Sequence, residues 1–164
     1  MSVELSFGMH KGMTVEWVVL NNPEYVRWMI VEGADKVHLK GADREHFLAI
    51  ADKAEHLKPR SLCQACGKVM ATRMGVIPAE KGWGHKTCFR CDDCEFDEGT
   101  HVAETVSLLF WPFMRSGDFK GSGKVRDAVL AACLESRLPT ATQGQMEAFF
   151  NNSDRFTVKL KEAA

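Results

Sequence analysis

The chain carries Cys63-Gln-Ala-Cys66 and, after 18 further residues, His85-Lys-Thr-Cys88-Phe-Arg-Cys91-Asp-Asp-Cys94, so that five of its six cysteines lie in one stretch. A Cys-x-x-Cys turn lets two thiolates bind one ion at about 2.3 Å, and two such turns complete the tetrahedral set that Zn²⁺ prefers. Disulfides are disfavoured because the N-terminus has no signal-peptide pattern. The spacing therefore predicts a Zn²⁺ cofactor whose ligands come from Cys63, Cys66, His85, Cys88, Cys91 and Cys94.

This cysteine stretch resembles the first half of a LIM domain. The opening Cys63-Gln-Ala-Cys66-Gly67-Lys68 and the core Trp83-Gly84-His85-Lys86-Thr87-Cys88-Phe89-Arg90-Cys91-Asp92-Asp93-Cys94 carry the resemblance, which spans residues 62–96. It implies a first zinc on Cys63, Cys66, His85 and Cys88, and a second site that begins with Cys91 and Cys94. The second half of a LIM domain is missing, because no cysteine lies between residues 95 and 132.

Three ligand sets are therefore compatible with the sequence. One ion is bound by Cys63, Cys66, His85 and Cys88, or one ion is bound by Cys63, Cys66, Cys91 and Cys94, or two ions are bound with the help of His101 and a carboxylate. Because the second half of a LIM domain is missing, a single ion with four protein ligands is favoured. Such a closed site is structural, because it leaves no position for a catalytic water.

Charge is distributed unevenly around the cysteines. Residues 53–90 carry 8 basic and 2 acidic side chains, whereas residues 91–105 carry 6 acidic and no basic ones. The formal net charge of −1 excludes a polycation that holds nucleic acid by bulk charge, but a local basic patch can still contact phosphates. Within the basic half, the predicted phosphate contacts are Lys68, Arg73, Lys81, Lys86 and Arg90.

The N-terminal segment carries a second resemblance, to the small domain appended to exodeoxyribonuclease X and found alone in short bacterial and phage proteins. The matching residues are Leu5-Ser-Phe7-Gly8-Met9-His10-Lys11-Gly12-Met13-Thr14 and Asn22-Pro23-Glu24-Tyr25-Val26-Arg27-Trp28-Met29. Met9 and Met13 stand where that family usually has lysine. The resemblance brings no catalytic residues, because the nuclease activity of that family belongs to a separate domain.

The glycine turn of this segment has two interpretations. Gly8 and Gly12 allow a tight turn with exposed amides, from which His10 and Lys11 project a donor and a cation toward a phosphate. Alternatively, the turn closes a hairpin over a core that contains Trp17, Tyr25 and Trp28. The sequence supports both interpretations equally.

Local signals predict an α+β fold with three parts: a strand-and-helix module over residues 1–58, a zinc-knuckle segment of LIM or treble-clef type over 59–100, and a mixed helical and strand part over 101–164 that packs back on the rest. Asn22 caps a helix that begins at Pro23, and Asp43 caps a third helix that places Phe47, Ile50, Ala51 and Ala54 on one apolar face. Residues 102–113 are predicted to form a strand or a pair of strands, and Thr142-x-x-Gln145 predicts a capping box before a final helix.

We therefore expect a cytoplasmic, non-enzymatic protein that zinc stabilises and that binds nucleic acid as an accessory factor of bacterial or phage DNA metabolism. A membrane partner is not expected, because no apolar run approaches the roughly 18 residues of a membrane span. Two alternatives remain: a LIM-like adaptor that binds a protein or inhibits a host protein, and a zinc enzyme with an open metal site.

Overall fold

The computed structural model describes residues 3–31, 39–79, 85–109, 122–134 and 142–157. Within these residues lie five α-helices, one short 3-10 helix (Ser153–Arg155) and three strands. The helices are α1 (Val15–Asn21), α2 (Pro23–Val31), α3 (Gly41–Glu55), α4 (Ser122–Cys133) and α5 (Gln143–Asn151). The strands are β1 (Arg73–Ile77), β2 (Lys86–Arg90) and β3 (His101–Ala103). The predicted α+β class is confirmed.

Two helix starts follow the sequence signals. The Oδ1 atom of Asn22 accepts a hydrogen bond from the backbone N–H of Tyr25 at 3.2 Å, one residue before α2 begins at Pro23. At α5, the Thr142 hydroxyl accepts from the Gln145 N–H and the Gln145 side chain accepts from the Thr142 N–H, so the predicted capping box is present. Both caps satisfy backbone donors that the first turn of a helix leaves without partners.

Helix α3 begins earlier than the sequence predicted. Its N-cap is Lys40, whose side chain makes no capping hydrogen bond, and Asp43 lies inside the first turn. An acidic side chain there still interacts favourably with the positive end of the helix dipole. The buried face of α3 agrees with the predicted one and consists of Phe47, Ile50, Ala51 and Ala54.

The strands form one antiparallel sheet in the order β2-β1-β3. In the central strand, Gly75 pairs with Cys88 of β2 on one side and with Val102 of β3 on the other. The strand predicted over residues 102–113 is mostly wrong within the described residues, because β3 ends at Ala103 and residues 104–109 are irregular apart from one isolated bridge. Residues 110–113 lie outside the described part.

The chain leaves the sheet after β3 because its next polar groups pair with the end of α3. The Thr105 hydroxyl donates to the Glu55 carbonyl at 2.7 Å. The Leu57 N–H donates to the Val106 carbonyl at 2.9 Å, and Leu57 also forms an isolated bridge with Phe156. The segment that follows α3 is therefore joined to two later parts of the chain.

One hydrophobic core connects the helices with the inner face of the sheet. Its largest fully buried side chains include Leu5, Met29, Leu57, Met74 and Phe150, which come from the N-terminal segment, α2, the end of α3, β1 and α5. Apolar burial of this kind supplies most of the stabilisation of a small domain. Among the described residues, no helix has both the length and the apolar character needed to cross a bilayer.

A hydrogen bond between a histidine and a buried carboxylate joins the first and third helices. The Nε2 atom of His46 on α3 lies 2.8 Å from Oε1 of Glu16 on α1. The Glu16 side chain is only 4% exposed, and its Oε2 atom has no hydrogen-bond partner among the described residues. The hydrogen bond from His46 therefore offsets part of the free-energy cost of burying the Glu16 carboxylate.

Candidate metal centre

The first cysteine pair lies on a short hairpin. Leu62 forms a β-bridge with Met70, and the Cys63 N–H donates to the Val69 carbonyl at 2.8 Å. The turn then closes with a bond from the Gly67 N–H to the Cys63 carbonyl at 2.8 Å, and Gly67 has a φ of +65°. Residues other than glycine rarely adopt that φ. Gly67 therefore allows the chain to reverse its direction directly after Cys66. We call Cys63–Gly67 the first knuckle.

The second pair lies on the loop that leaves β2. Cys91 follows the last residue of the strand, and the Cys94 N–H donates to the Cys91 carbonyl at 3.2 Å. We call Cys91–Cys94 the second knuckle. It closes in the same way as the first, with a hydrogen bond back to the carbonyl of its leading cysteine, so each pair directs two sulfur atoms to one side of a turn.

Strand β2 holds the two knuckles against each other. The Gln64 N–H donates to the Phe89 carbonyl at 2.9 Å, and the Phe89 N–H donates to Oε1 of Gln64 at 3.0 Å. This reciprocal pair fixes the first knuckle to the outer edge of β2, two residues before the second knuckle begins. Phe89 itself is buried in the core, so both knuckles are anchored to the body of the protein.

The four sulfur atoms of Cys63, Cys66, Cys91 and Cys94 all lie within 4.8 Å of one another. The Cys66 and Cys91 sulfurs are 4.0 Å apart. Four thiolates at the Zn–S distance of about 2.3 Å in a tetrahedron have sulfur–sulfur distances of about 3.8 Å. All six cysteines of the chain are free. The four side chains therefore fit a divalent ion such as Zn²⁺.

Burial and hydrogen bonding give the thiols of this cluster different acidities. The backbone N–H of Cys66 contacts the Cys63 sulfur and is the main cause that lowers the pKa of Cys63 to about 6. Burial raises the pKa of Cys91, and its neighbouring thiol raises the pKa of Cys94 to about 12. At neutral pH the Cys63 side chain is therefore a thiolate that can bind an ion directly. The Cys91 and Cys94 thiols must lose their protons when an ion binds.

Arg73, at the start of β1, binds the backbone of the second knuckle. Its Nη2 atom donates to three carbonyl oxygens, those of Cys91 at 3.1 Å, Asp92 at 3.0 Å and Cys94 at 3.0 Å. Its Nε atom lies 3.6 Å from Oδ1 of Asp92. The guanidinium is therefore enclosed by the knuckle and is only 18% exposed at the side chain.

Phe96 covers the outer face of the sheet next to the second knuckle. The guanidinium groups of Arg73 and Arg90 lie 5.4 Å and 5.3 Å from its ring centroid. Arg90 also donates to the Glu95 carbonyl and to Oδ2 of Asp97, the latter at 3.0 Å. The ring fits because its neighbour in β1 is Gly75, where a Cβ would lie 2.6 Å from the ring.

His85 and Cys88 do not belong to the group of four sulfurs. Cys88 pairs with Gly75 in the middle of β2, and its thiol donates to the Gly75 carbonyl at 3.5 Å. The Nδ1 atom of His85 accepts from the Ala79 N–H at 3.4 Å. Of the three ligand sets, the described part of the chain assembles the one made of Cys63, Cys66, Cys91 and Cys94.

His101, from the two-ion set, and the sixth cysteine, Cys133, do not belong to the group of four sulfurs either. His101 is exposed on β3, opposite Val76. Cys133 is buried in α4, where removal from water raises the pKa of its thiol to about 12, so it has the properties of a small core residue.

The predicted phosphate contacts fall into three classes. Lys11, Lys68 and Lys86 are exposed, whereas Arg73 and Arg90 are mostly buried by contacts with the second knuckle and the loop after it. His10 packs within the N-terminal module, with its Nε2 atom 3.0 Å from Nδ2 of Asn22. Lys81 lies outside the described residues.

Sequence reasoning did not identify Gln64 or Phe96 as parts of the site, and it assigned Arg73 to a different role. One signal was present: Gly75 lies between the apolar residues Met74 and Val76 of β1, and a glycine inside a strand often marks the close approach of another group. The approaching group is the Phe96 ring.

No protein-family model, curated protein or solved structure matches this chain. The resemblances to a LIM domain and to the exodeoxyribonuclease X tail therefore stay predictions, carried by the residues quoted for them.

Proposed function

We propose that the chain is a non-enzymatic binding protein in which one structural Zn²⁺ ion joins the two knuckles. The observation that supports this proposal is the group of four free thiols within 4.8 Å of one another. Thiolates are the ligands that Zn²⁺ and Fe–S centres select, and four protein ligands leave no position for substrate or water. A zinc enzyme would need a ligand set other than this one.

Metal content tests the first part of this proposal. Native mass spectrometry of the purified protein should show one ion per chain, and elemental analysis should identify it as zinc. Treatment with a chelator should remove the ion and lower the melting temperature, because the free energy of metal binding contributes to folding. A metal-free protein whose melting temperature is insensitive to zinc would contradict the proposal.

For the ligand of the protein, we propose nucleic acid bound through its phosphate backbone. Lys11, Lys68 and Lys86 support this proposal, because their side chains are exposed. Contacts of this kind position a nucleic acid without selecting its sequence. The resemblance of the N-terminal segment to the exodeoxyribonuclease X tail adds the context of bacterial or phage DNA metabolism.

Salt dependence tests the nucleic-acid proposal. Fluorescence anisotropy with labelled single- and double-stranded DNA should show affinity that falls as salt rises, because bound phosphates release counterions. Lys68→Glu and Lys86→Glu should weaken binding for all sequences alike. Lys40→Glu makes the same charge change at an exposed residue outside the predicted set, and it serves as the control. Absence of binding at low salt would contradict the proposal.

A second candidate function is that of a protein adaptor, and the surface of the first knuckle favours it. Leu62, Val69 and Met70 are 52%, 49% and 45% exposed, which is unusual for three apolar side chains on one hairpin. The acidic second knuckle adjoins this hairpin, since the Thr72 hydroxyl donates to Oδ1 of Asp92 at 2.8 Å. An apolar and acidic surface of this kind suits a partner with apolar and basic side chains.

Loss of the exposed apolar side chains separates the two candidates. Met70→Glu should abolish a stoichiometric protein complex and leave DNA affinity almost unchanged. Val31→Glu, at a residue that is 58% exposed on α2, is the matched control. A complex that survives Met70→Glu would contradict the adaptor proposal.

A further inference from the structure

Arg73 orients the peptide groups of the second knuckle through hydrogen bonds to its carbonyl oxygens. One guanidinium nitrogen, Nη2, donates hydrogen bonds to the carbonyl oxygens of Cys91, Asp92 and Cys94, so three of the four peptide groups that leave residues 91–94 point at one side chain. Hydrogen bonds to a charged donor are among the stronger ones in proteins. These three carbonyls are therefore held on the side of the loop that faces Arg73.

The orientation of a carbonyl determines the orientation of the next N–H. The described chain contains no cis peptide bond, and in a trans peptide the C=O and N–H groups point in opposite directions. When the Asp92 carbonyl faces Arg73, the N–H of Asp93 consequently faces away from it. That N–H hydrogen-bonds the Cys91 sulfur. The bond at Arg73 thus sets the direction of an amide that stabilises a ligand thiolate.

The positive charge of Arg73 also favours the metal-binding conformation of the second knuckle. Four thiolates around a divalent ion leave a net charge of about −2, and the loop adds Asp92 and Asp93. Arg73 brings a positive charge into contact with this loop, and its Nε atom lies 3.6 Å from the Asp92 carboxylate. The guanidinium also contacts the Phe96 ring, which shields it from water on one side.

We propose that Arg73 is a positioning residue for the metal centre: it holds the second knuckle in its metal-binding conformation before the ion enters. This inference rests on the proposed metal centre and adds that half of the site is formed without metal. It assigns the guanidinium to the protein's own backbone, in place of the phosphate contact that charge alone suggested.

Metal affinity with Co²⁺ as the probe tests this inference. Co²⁺ bound to four thiolates gives intense absorption bands, so both affinity and geometry can be read by titration of the metal-free protein. Outer-shell partners of metal ligands typically contribute 10- to 100-fold to metal affinity. We expect Arg73→Met to weaken Co²⁺ binding by a factor of about 10 to 100. Arg73→Lys should lie between this variant and the wild type, because an ammonium group retains the charge and the donors.

Arg90→Met is the matched control. It removes a guanidinium from the same Phe96 ring, but Arg90 donates to Glu95 and Asp97 and not to the carbonyls of Cys91, Asp92 or Cys94. Its Co²⁺ affinity should stay within a few-fold of the wild type. Equal affinities of Arg73→Met and wild-type protein would overturn the inference.

Hydrogen exchange in the metal-free protein provides the second measurement. The Cys94 N–H, which donates to the Cys91 carbonyl, should be protected in the metal-free wild type and exchange faster in Arg73→Met. Protection in β1 and β2 should change little, which shows that the variant folds. An unprotected knuckle in the metal-free wild type would overturn the inference. If the wild type bound no Co²⁺ at all, the metal centre itself would fail, which is a distinguishable result.

Discussion

The sulfur atoms of Cys66 and Cys91 lie 4.0 Å apart although 25 positions separate the two residues along the chain. Strands β1 and β2 lie between the two cysteines, and their antiparallel pairing returns the chain to its starting point. The pairing of Arg73 with Arg90 places the residue after β2 beside the residues that precede β1. Sheet register therefore determines which thiols meet.

Substitution of single cysteines should distinguish the ligands from their neighbours. Cys91→Ala should reduce zinc content from one ion per chain to substoichiometric levels, because three thiols remain at a site that needs four. Cys88→Ala and His85→Ala should retain one ion, since their side chains contact Gly75 and Ala79 instead. Native mass spectrometry measures each stoichiometry. Loss of zinc from Cys88→Ala would support the LIM-like ligand set.

Zinc affinity should increase steeply with pH. The pKa of Cys91 is raised, that of Cys94 is about 12, and that of Cys63 is about 6, so near pH 7.5 at least two thiols hold protons that the ion must displace. Release of two protons corresponds to about 100-fold in affinity per pH unit, with weaker binding at lower pH. Calorimetry in buffers of different ionisation enthalpy counts these protons. Release of fewer than one proton per ion would contradict the assignment.

Gly75→Ala should destabilise the protein. The added Cβ would lie 2.5 Å from Cγ2 of Thr100 and 2.6 Å from Cδ1 of Phe96, and the ring cannot move freely between two guanidinium groups. Overpacking of this kind costs about 1–3 kcal/mol. Urea denaturation of the zinc-loaded protein measures the change in the free energy of unfolding. Gly144→Ala, where a Cβ meets nothing within 4 Å, should cause no loss.

The contact between Glu16 and His46 should contribute to stability mainly because it gives the buried Glu16 carboxylate a hydrogen-bond partner. His46→Ala removes the only hydrogen-bonding partner of the Glu16 carboxylate among the described residues, which costs about 1–3 kcal/mol. In a Glu16→Gln background the same substitution should cost less, because no charge is left unpaired. A double-mutant cycle from urea denaturation tests this expectation. Additive effects of the two substitutions would show that the pair is not coupled.

The helices could largely be predicted from the sequence because their signals are local. Asn22 before Pro23, and Thr142 three residues before Gln145, each satisfy backbone donors within one turn. The apolar spacing of Phe47, Ile50 and Ala54 likewise predicted a buried face without reference to any other part of the chain.

The strands and the ligand set could not be predicted in the same way. Strands β1 and β2 are five residues long, and β2 is only partly buried, so neither shows the alternation that marks a strand. Spacing alone allows Cys63 to meet Cys88 or Cys91 equally well. The choice depends on which residue of β2 faces Gly75, and this register is set by long-range packing of Phe89 and Met74.

The junction after α3 determines which fragments of the protein are worth expressing. The N–H groups of Leu57 and Lys58 donate to the carbonyls of Val106 and Arg155, and the Thr157 N–H donates to the His56 carbonyl. A fragment that stops at residue 100 would contain all four sulfur ligands, yet it would leave Leu57 in water and these amides without acceptors. Work on the isolated metal centre should therefore use a fragment that begins after residue 58 and ends after β3, so that both sides of the junction are left out and β3 still pairs with β1.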